Sequence, residues 1–174
     1  MQKLTTLATT VAGLVLLLAT TATLHSNAAA SPANDDKTAI KALYKEFNDA
    51  FNKKDASGVM AVYAKDVFVY DVVPPRQYAT WDAYKKDWES VFSMFPGPVS
   101  NTISDLNITV VGPVAYTHYV ADGTLTGKDG AKSHLVVRST DVLRKSNGKW
   151  QIVQEHNSVP VDLSTGQPDL LSKP

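Results

Sequence analysis

Asp71, Asp141 and His118 are the side chains in this sequence best placed to move a proton. Asp71 ends the β-branched and aromatic run Val67-Phe68-Val69-Tyr70. It precedes Val72-Val73-Pro74-Pro75-Arg76, where two prolines forbid regular structure. A carboxylate at such a junction either opens onto a cavity mouth or caps the loop through backbone N–H groups. Set among aromatic residues, it would keep its proton to higher pH and could exchange it near neutrality. Asp141 lies in a run whose odd positions (Leu135, Val137, Ser139, Asp141, Leu143) are mostly apolar. The even positions (His134, Arg138, Thr140, Arg144) are mostly polar. Period-two alternation therefore puts Asp141 and Ser139 on an inner face. A charge there needs a partner or must be protonated. Asp141 is thus a pocket acid or the ion-pair partner of a neighbour such as Arg138 or His118. His118 shares a strand face with Val114, Tyr116 and Val120. Beside a carboxylate it would act as acid, base or ligand anchor, the alternative being a hydrogen-bonded core histidine.

A second group of residues has the composition of a ligand wall. Tyr44, Phe47, Tyr63, Trp88 and Phe92 fall on apolar stripes of helical spacing, Tyr116 accompanies His118, and Glu155 and Asn157 share one side of the last strand. The rings serve equally as a pocket lining or as core packing. His134 and His156 could meet across strands. With no third ligand and no metal-binding spacing, no metal site is expected, and no cofactor is called for.

The elements that must position these groups follow from periodicity. Ile40, Leu43, Tyr44, Phe47, Ala50 and Phe51 predict a helix capped by Asp35 or Asp36 and ending near Lys53-Lys54. Asp55 caps a second helix to about Ala64, with Val59, Met60 and Tyr63 inward. Thr80 caps a third, with Trp81, Tyr84, Trp88, Val91 and Phe92 on one face, broken by Pro96-Gly97-Pro98. Strands follow over residues 102–111, 114–126, 132–145 and 149–158, joined by tight turns, the clearest being Asn147-Gly148. The result is an antiparallel meander with helices on one face, an α+β layout. Tyr119, Arg138, Thr140, Trp150 and His156 are expected on the outer face of the sheet. The tail, residues 162–174, is polar and marked by Pro and Gly, and is expected to be loose.

Composition narrows the function classes. Lysine plus arginine equal aspartate plus glutamate at 17 each, so no net field draws nucleic acid or an anionic membrane. The chain has no cysteine, which excludes a disulfide scaffold, a thiolate nucleophile and a cysteine-ligated zinc. Residues 1–30 read as an export signal: Lys3, the apolar run Val11 to Ala19, then Ala28-Ala29-Ala30 for cleavage near Ala30. The apolar run is shorter than the ~20 residues that span a bilayer. The expectation is a periplasmic or secreted domain over residues 31–161, without a membrane anchor after cleavage.

With these elements in this order, the chain resembles the nuclear transport factor 2-like superfamily, including its small bacterial SnoaL-like members. The string Gly148 to Pro160 (GKWQIVQEHNSVP) is similar to the closing strand of the calcium/calmodulin-dependent protein kinase II association domain. Ala56 to Asp71 (ASGVMAVYAKDVFVYD, counted with Asp55 before it) resembles the second helix and first strand of ketosteroid isomerase. The resemblance implies a cone: a curved, mixed or antiparallel, cystatin-like sheet wrapped against three N-terminal helices, with a pocket at the wide end. It implies that Asp71 stands at the isomerase's general base and Asp141 near its protonated, oxyanion-stabilising aspartate. Asp141, His118 and Asn157 replace the three pocket arginines of the association domain. The isomerase's catalytic tyrosine falls at Phe47, leaving Tyr44, one turn earlier, as the nearest hydroxyl.

Three functions are consistent with these residues. One is a cofactor-free isomerase, cyclase or dehydratase on a small hydrophobic molecule, with Asp71 as base and Asp141 or His118 as acid. Another is a binding module that holds such a molecule unchanged. The third is a homodimerisation domain that pairs through the outer face of its sheet.

Overall fold

A computed structural model describes residues 32–172; the export segment expected over residues 1–30 lies outside them. The order is α1 (Pro32–Asn52), α2 (Ala56–Met60), β1 (Tyr63–Tyr70), α3 (Trp81–Met94), β2 (Val99–Val111), β3 (Val114–Thr126), β4 (Lys132–Ser146) and β5 (Lys149–Ser158). The strands form one curled, open sheet in the order β1-β5-β4-β3-β2, with β1 parallel to β5 and the remaining pairs antiparallel. This is the expected α+β architecture of a mixed sheet packed against helices.

Two of the caps are those expected. Gly58 N donates to Asp55 Oδ1 at 3.0 Å, and Ala83 N to Thr80 Oγ1 at 3.2 Å. Helix α1, however, begins at Pro32, a residue suited to a first turn because its missing N–H costs nothing there. Asp36 is therefore not a cap. Its Oδ1 accepts from Lys145 Nζ at 2.6 Å and Trp150 Nε1 at 2.9 Å, fastening α1 to the sheet. The second helix stops at Met60 rather than near Ala64, because Tyr63 is already strand, paired with Ile152, whose N–H donates to Val62 O at 2.9 Å.

Ile40, Tyr44, Phe47 and Phe51 of α1 and Tyr84 of α3 pack on Val67 and Val69 of β1, Ala115 of β3, Leu143 of β4 and Ile152 of β5. Asn101 and Asn52 exchange hydrogen bonds at 2.7 and 3.3 Å, tying α1 to β2.

Bulges shape the sheet and decide which side chains face inward. In β5, Leu143 pairs with Ile152 but Val142 pairs with Gln154, so Val153 is the extra residue. Trp150 and Ile152 before the bulge, and Glu155 after it, are therefore all buried on the same side. Uninterrupted alternation had put Trp150 on the outer face, and the bulge corrects that. In β3 the inner residues are Ala115, Thr117 and Tyr119, while Val114 and Tyr116 are exposed. The small Ala115 and Thr117 leave room for α1, so the larger apolar residues mark the outside of this strand, the reverse of the usual pattern.

The segment after β5 is not loose. Val161 bridges Pro168, Asp162 N donates to Gln167 O at 2.9 Å, and Asp169 N donates to Pro160 O at 2.8 Å. Where β5 has ended, Val136 N of β4 donates to Leu170 O at 2.7 Å, which holds the tail against the edge of β4.

Candidate active site

Two cross-strand rows on the inner face carry the polar groups. Thr117, Asp141, Glu155 and Val69 are consecutive register partners across β3, β4, β5 and β1. The next row is Tyr119, Ser139 and Asn157, and Asp71 follows Tyr70 at the end of β1 beside it. Asp141 and Glu155 are almost wholly buried, at 0% and 2% exposure. Tyr44 Oη donates to Asp141 Oδ2 at 2.6 Å and lies 2.5 Å from Thr117 Oγ1. Glu155 receives three donors: Tyr63 Oη on Oε2 at 2.6 Å, and Tyr84 Oη at 2.7 Å and Asn157 Nδ2 at 2.9 Å on Oε1. Ser139 Oγ donates to Asn157 Oδ1 at 2.6 Å and fixes that amide's orientation.

A cavity of about 690 Å³ opens over the second row. Its lining includes Phe47, Phe51, Trp88 and Tyr119, with Val137 and Leu125 from the sheet and Leu170 from the tail. The carboxylates on it are Asp71, Asp87 and Glu155. Asp141 is not among them and lies below, under Tyr44.

The carboxylates differ in how they hold a proton. Desolvation first, then repulsion from Glu155, raise Asp71 to about 7; a bond from its neighbour's N–H (Val72 N to Oδ1, 2.6 Å) works the other way. Burial pushes Asp141 well above the usual carboxylate range, and Glu155 adds to it. Burial also raises Glu155, against the bonds from Tyr63, Tyr84 and Asn157. Glu155 has three donors, whereas Asp141 Oδ1 has no hydrogen-bond partner. Asp141 is therefore the one of the pair held further toward its protonated form, and Glu155 has the donors that suit a charge. The Tyr119 phenol feels both carboxylates, and burial foremost suppresses its ionisation.

Residues 40–162 match the SnoaL-like domain family. The chain belongs to that family. No curated protein matches it. Among solved structures, it is similar to a nuclear transport factor 2-like protein of unknown function from Pseudomonas putida. That match has 26% identity and a TM-score of 0.73, covering 81% of this chain and 98% of the other. A candidate calcium/calmodulin-dependent protein kinase II association domain from Xanthomonas campestris is 27% identical, with a TM-score of 0.63, over 75% of this chain and 91% of its own. A ketosteroid isomerase-like protein from Erwinia carotovora shares the fold at 24% identity and a TM-score of 0.62, over 72% and 96%.

In this SnoaL-like domain the sequence-predicted residues divide. Asp71, Phe47, Trp88, Ser139, Glu155 and Asn157 come together on the cavity. Tyr44 and Tyr63 are buried behind it as donors to Asp141 and Glu155. Phe92 packs edge-on against Phe51 at 5.7 Å, in the core. His118 and Tyr116 are exposed on the other face of β3. They do not join the site, because the register sets Thr117 rather than His118 opposite Asp141. The expected pairing of Asp71 with Asp141 across one cavity becomes Asp71 with Glu155. His134 and His156 do not meet: His134 Nε2 lies 2.7 Å from Asp122 Oδ1, and His156 meets Tyr70 edge-on at 5.6 Å.

Sequence reasoning missed Tyr119, Tyr84 and Leu170. Tyr119 was read as outer-face and lines the cavity. Tyr84 was read only as a ring on the third helix, yet its hydroxyl ends on Glu155. An alternating β3 whose small residues face the helix was the available signal for Tyr119. No local signal marked Leu170.

Proposed function

We propose that this SnoaL-like domain admits a small, largely apolar molecule and moves a proton on it without a cofactor, in an isomerase- or dehydratase-type reaction. The observation that carries this reading is Asp71, half-buried on the cavity wall with its proton held to about 7. A base of that strength is divided between its two forms at neutral pH and can both accept and return a proton. Desolvation holds Asp71 at that value, and Glu155, clamped by its three donors, adds to it. Tyr119 borders the same wall, with its hydroxyl turned to Ser139 and Asp141. The solved relative named as ketosteroid isomerase-like adds an analogy of fold.

Solvent-exchange NMR tests this directly. Cyclic ketones and enones in deuterated buffer should lose their α-proton signals with the native protein and not with Asp71→Asn. Equal exchange in both would end the proposal. We also infer that the domain acts after export, outside the cytoplasm, and pairs with its own copy through the face bearing Tyr116, Arg138 and His156. Cell fractionation and sedimentation velocity test those two points.

A further inference from the structure

The cavity wall has an imbalance of charge. Asp71, Asp87 and Glu155 line it, and among the described residues that do so there is no lysine or arginine. His134 is the one basic side chain among them, at the far end, with Nε2 against Asp122. Three cations of the sheet and helix ends are committed elsewhere: Lys145 to Asp36, Arg144 to Asp66, and Lys54 to the carbonyl oxygens of Pro96 and Gly97. Among the described residues Glu155 has hydrogen bonds but no counter-ion, and neutral donors offset only part of the cost of burying a charge.

The rest of the wall is largely apolar, and Phe47, Phe51, Trp88 and Tyr119 border the same space. Such a wall takes an apolar, ring-containing body, and the carboxylates would repel a ligand carboxylate.

We propose that the molecule taken by this cavity carries a protonated amine or quaternary ammonium on an apolar, ring-containing body. The cationic group lies toward Asp87 and Glu155, and the body lies along Leu125, Val137 and Leu170. This rests on reading the cavity as the ligand site, and it specifies the class of molecule that reading left open.

The test uses three probes on one scaffold: 1-naphthylmethylamine, 1-naphthalenemethanol and 1-naphthoate. Affinity is read by calorimetry on the full chain, and location by the NMR shift of the Trp88 Nε1–H. The amine should bind about tenfold or more tightly than the alcohol, a charge-assisted hydrogen-bond advantage of ordinary size. Naphthoate should not bind in the same range. Glu155→Gln, or Asp87→Asn at the rim should the buried substitution prevent folding, should cut the amine's advantage at least threefold. If amine and alcohol bind equally and both move Trp88, the charge inference is overturned and the cavity reading stands. If no probe moves Trp88, the cavity reading falls and takes this inference with it.

Discussion

Asp71→Asn should make the protein more stable at pH 8 and leave its stability almost unchanged at pH 4. Folding raises the Asp71 carboxyl from its ordinary value of 3.8 to about 7. Below pH 4 both folded and unfolded chains hold the proton. Between about pH 4 and 7 the unfolded chain has released a proton that the folded chain keeps, so stability falls as pH rises. Above 7 both are ionised and the loss is complete. At about 1.4 kcal/mol per unit, the gap has an upper limit of roughly 4 kcal/mol. Water at the cavity mouth and relaxation of the Val72-Val73 loop lower it to about 2–3 kcal/mol. Asparagine cannot ionise, and its Oδ1 can still accept from Val72 N, which now donates at 2.6 Å. The variant should therefore gain that amount at pH 8, roughly 5–10 °C in Tm for a domain of this size. Urea unfolding of both proteins at pH 4, 6 and 8 measures it. A gain of equal size at all three pH values would mean that packing, not ionisation, is responsible. A loss at pH 8 would refute the raised affinity itself. A stabilised but inactive variant is the pattern expected where a site stores unfavourable charge for function.

Four further outcomes follow from the same geometry. Tyr84→Phe removes one of three donors from the buried Glu155 carboxylate and should cost about 1.5–3 kcal/mol by urea unfolding at pH 7. Asp141→Asn keeps an acceptor for Tyr44 but buries an amide NH2 where Oδ1 has no partner, and should cost about 1–2 kcal/mol. Asp141→Ala, which takes that acceptor from the buried Tyr44 hydroxyl and empties its place in the core, should cost more than ~2 kcal/mol in the same assay. Removing residues 162–174 strips Val136 N of its acceptor and takes Leu170 off the cavity. We expect a loss of about 1–2 kcal/mol and several-fold weaker binding of any cavity ligand by calorimetry. Deleting Val153 removes the bulge, so Trp150 and Glu155 can no longer both face inward. Circular dichroism should show a protein that does not fold cooperatively, since either a ring or the charge network must leave the core.

Which of these groups could be recognised before any coordinates depended on whether one strand or several decided their place. Asp141 was legible because β4 alternates from Val137 to Leu143, so its burial is a property of its own strand. Asp71 was legible because a strand end and two prolines are adjacent in the chain. Trp150 was misplaced because alternation is a parity argument, and one bulged residue at Val153 reverses parity for everything beyond it. His118 and Tyr119 were exchanged because side-chain size predicts the inner face only where the space beneath is large. Under α1 that space is small, and Ala115 and Thr117 occupy it. The roles of Tyr84 and Leu170 were beyond local reading, since each is defined by a contact with an atom 71 residues away, for Tyr84 to Glu155, or across a sheet edge that exists only because β5 stops short of Val136. The catalytic proposal thus stands on a residue placed by its neighbours in sequence. The carboxylate that tunes it stands on residues assembled by topology alone: Glu155 with Tyr63 from β1 and Tyr84 from α3.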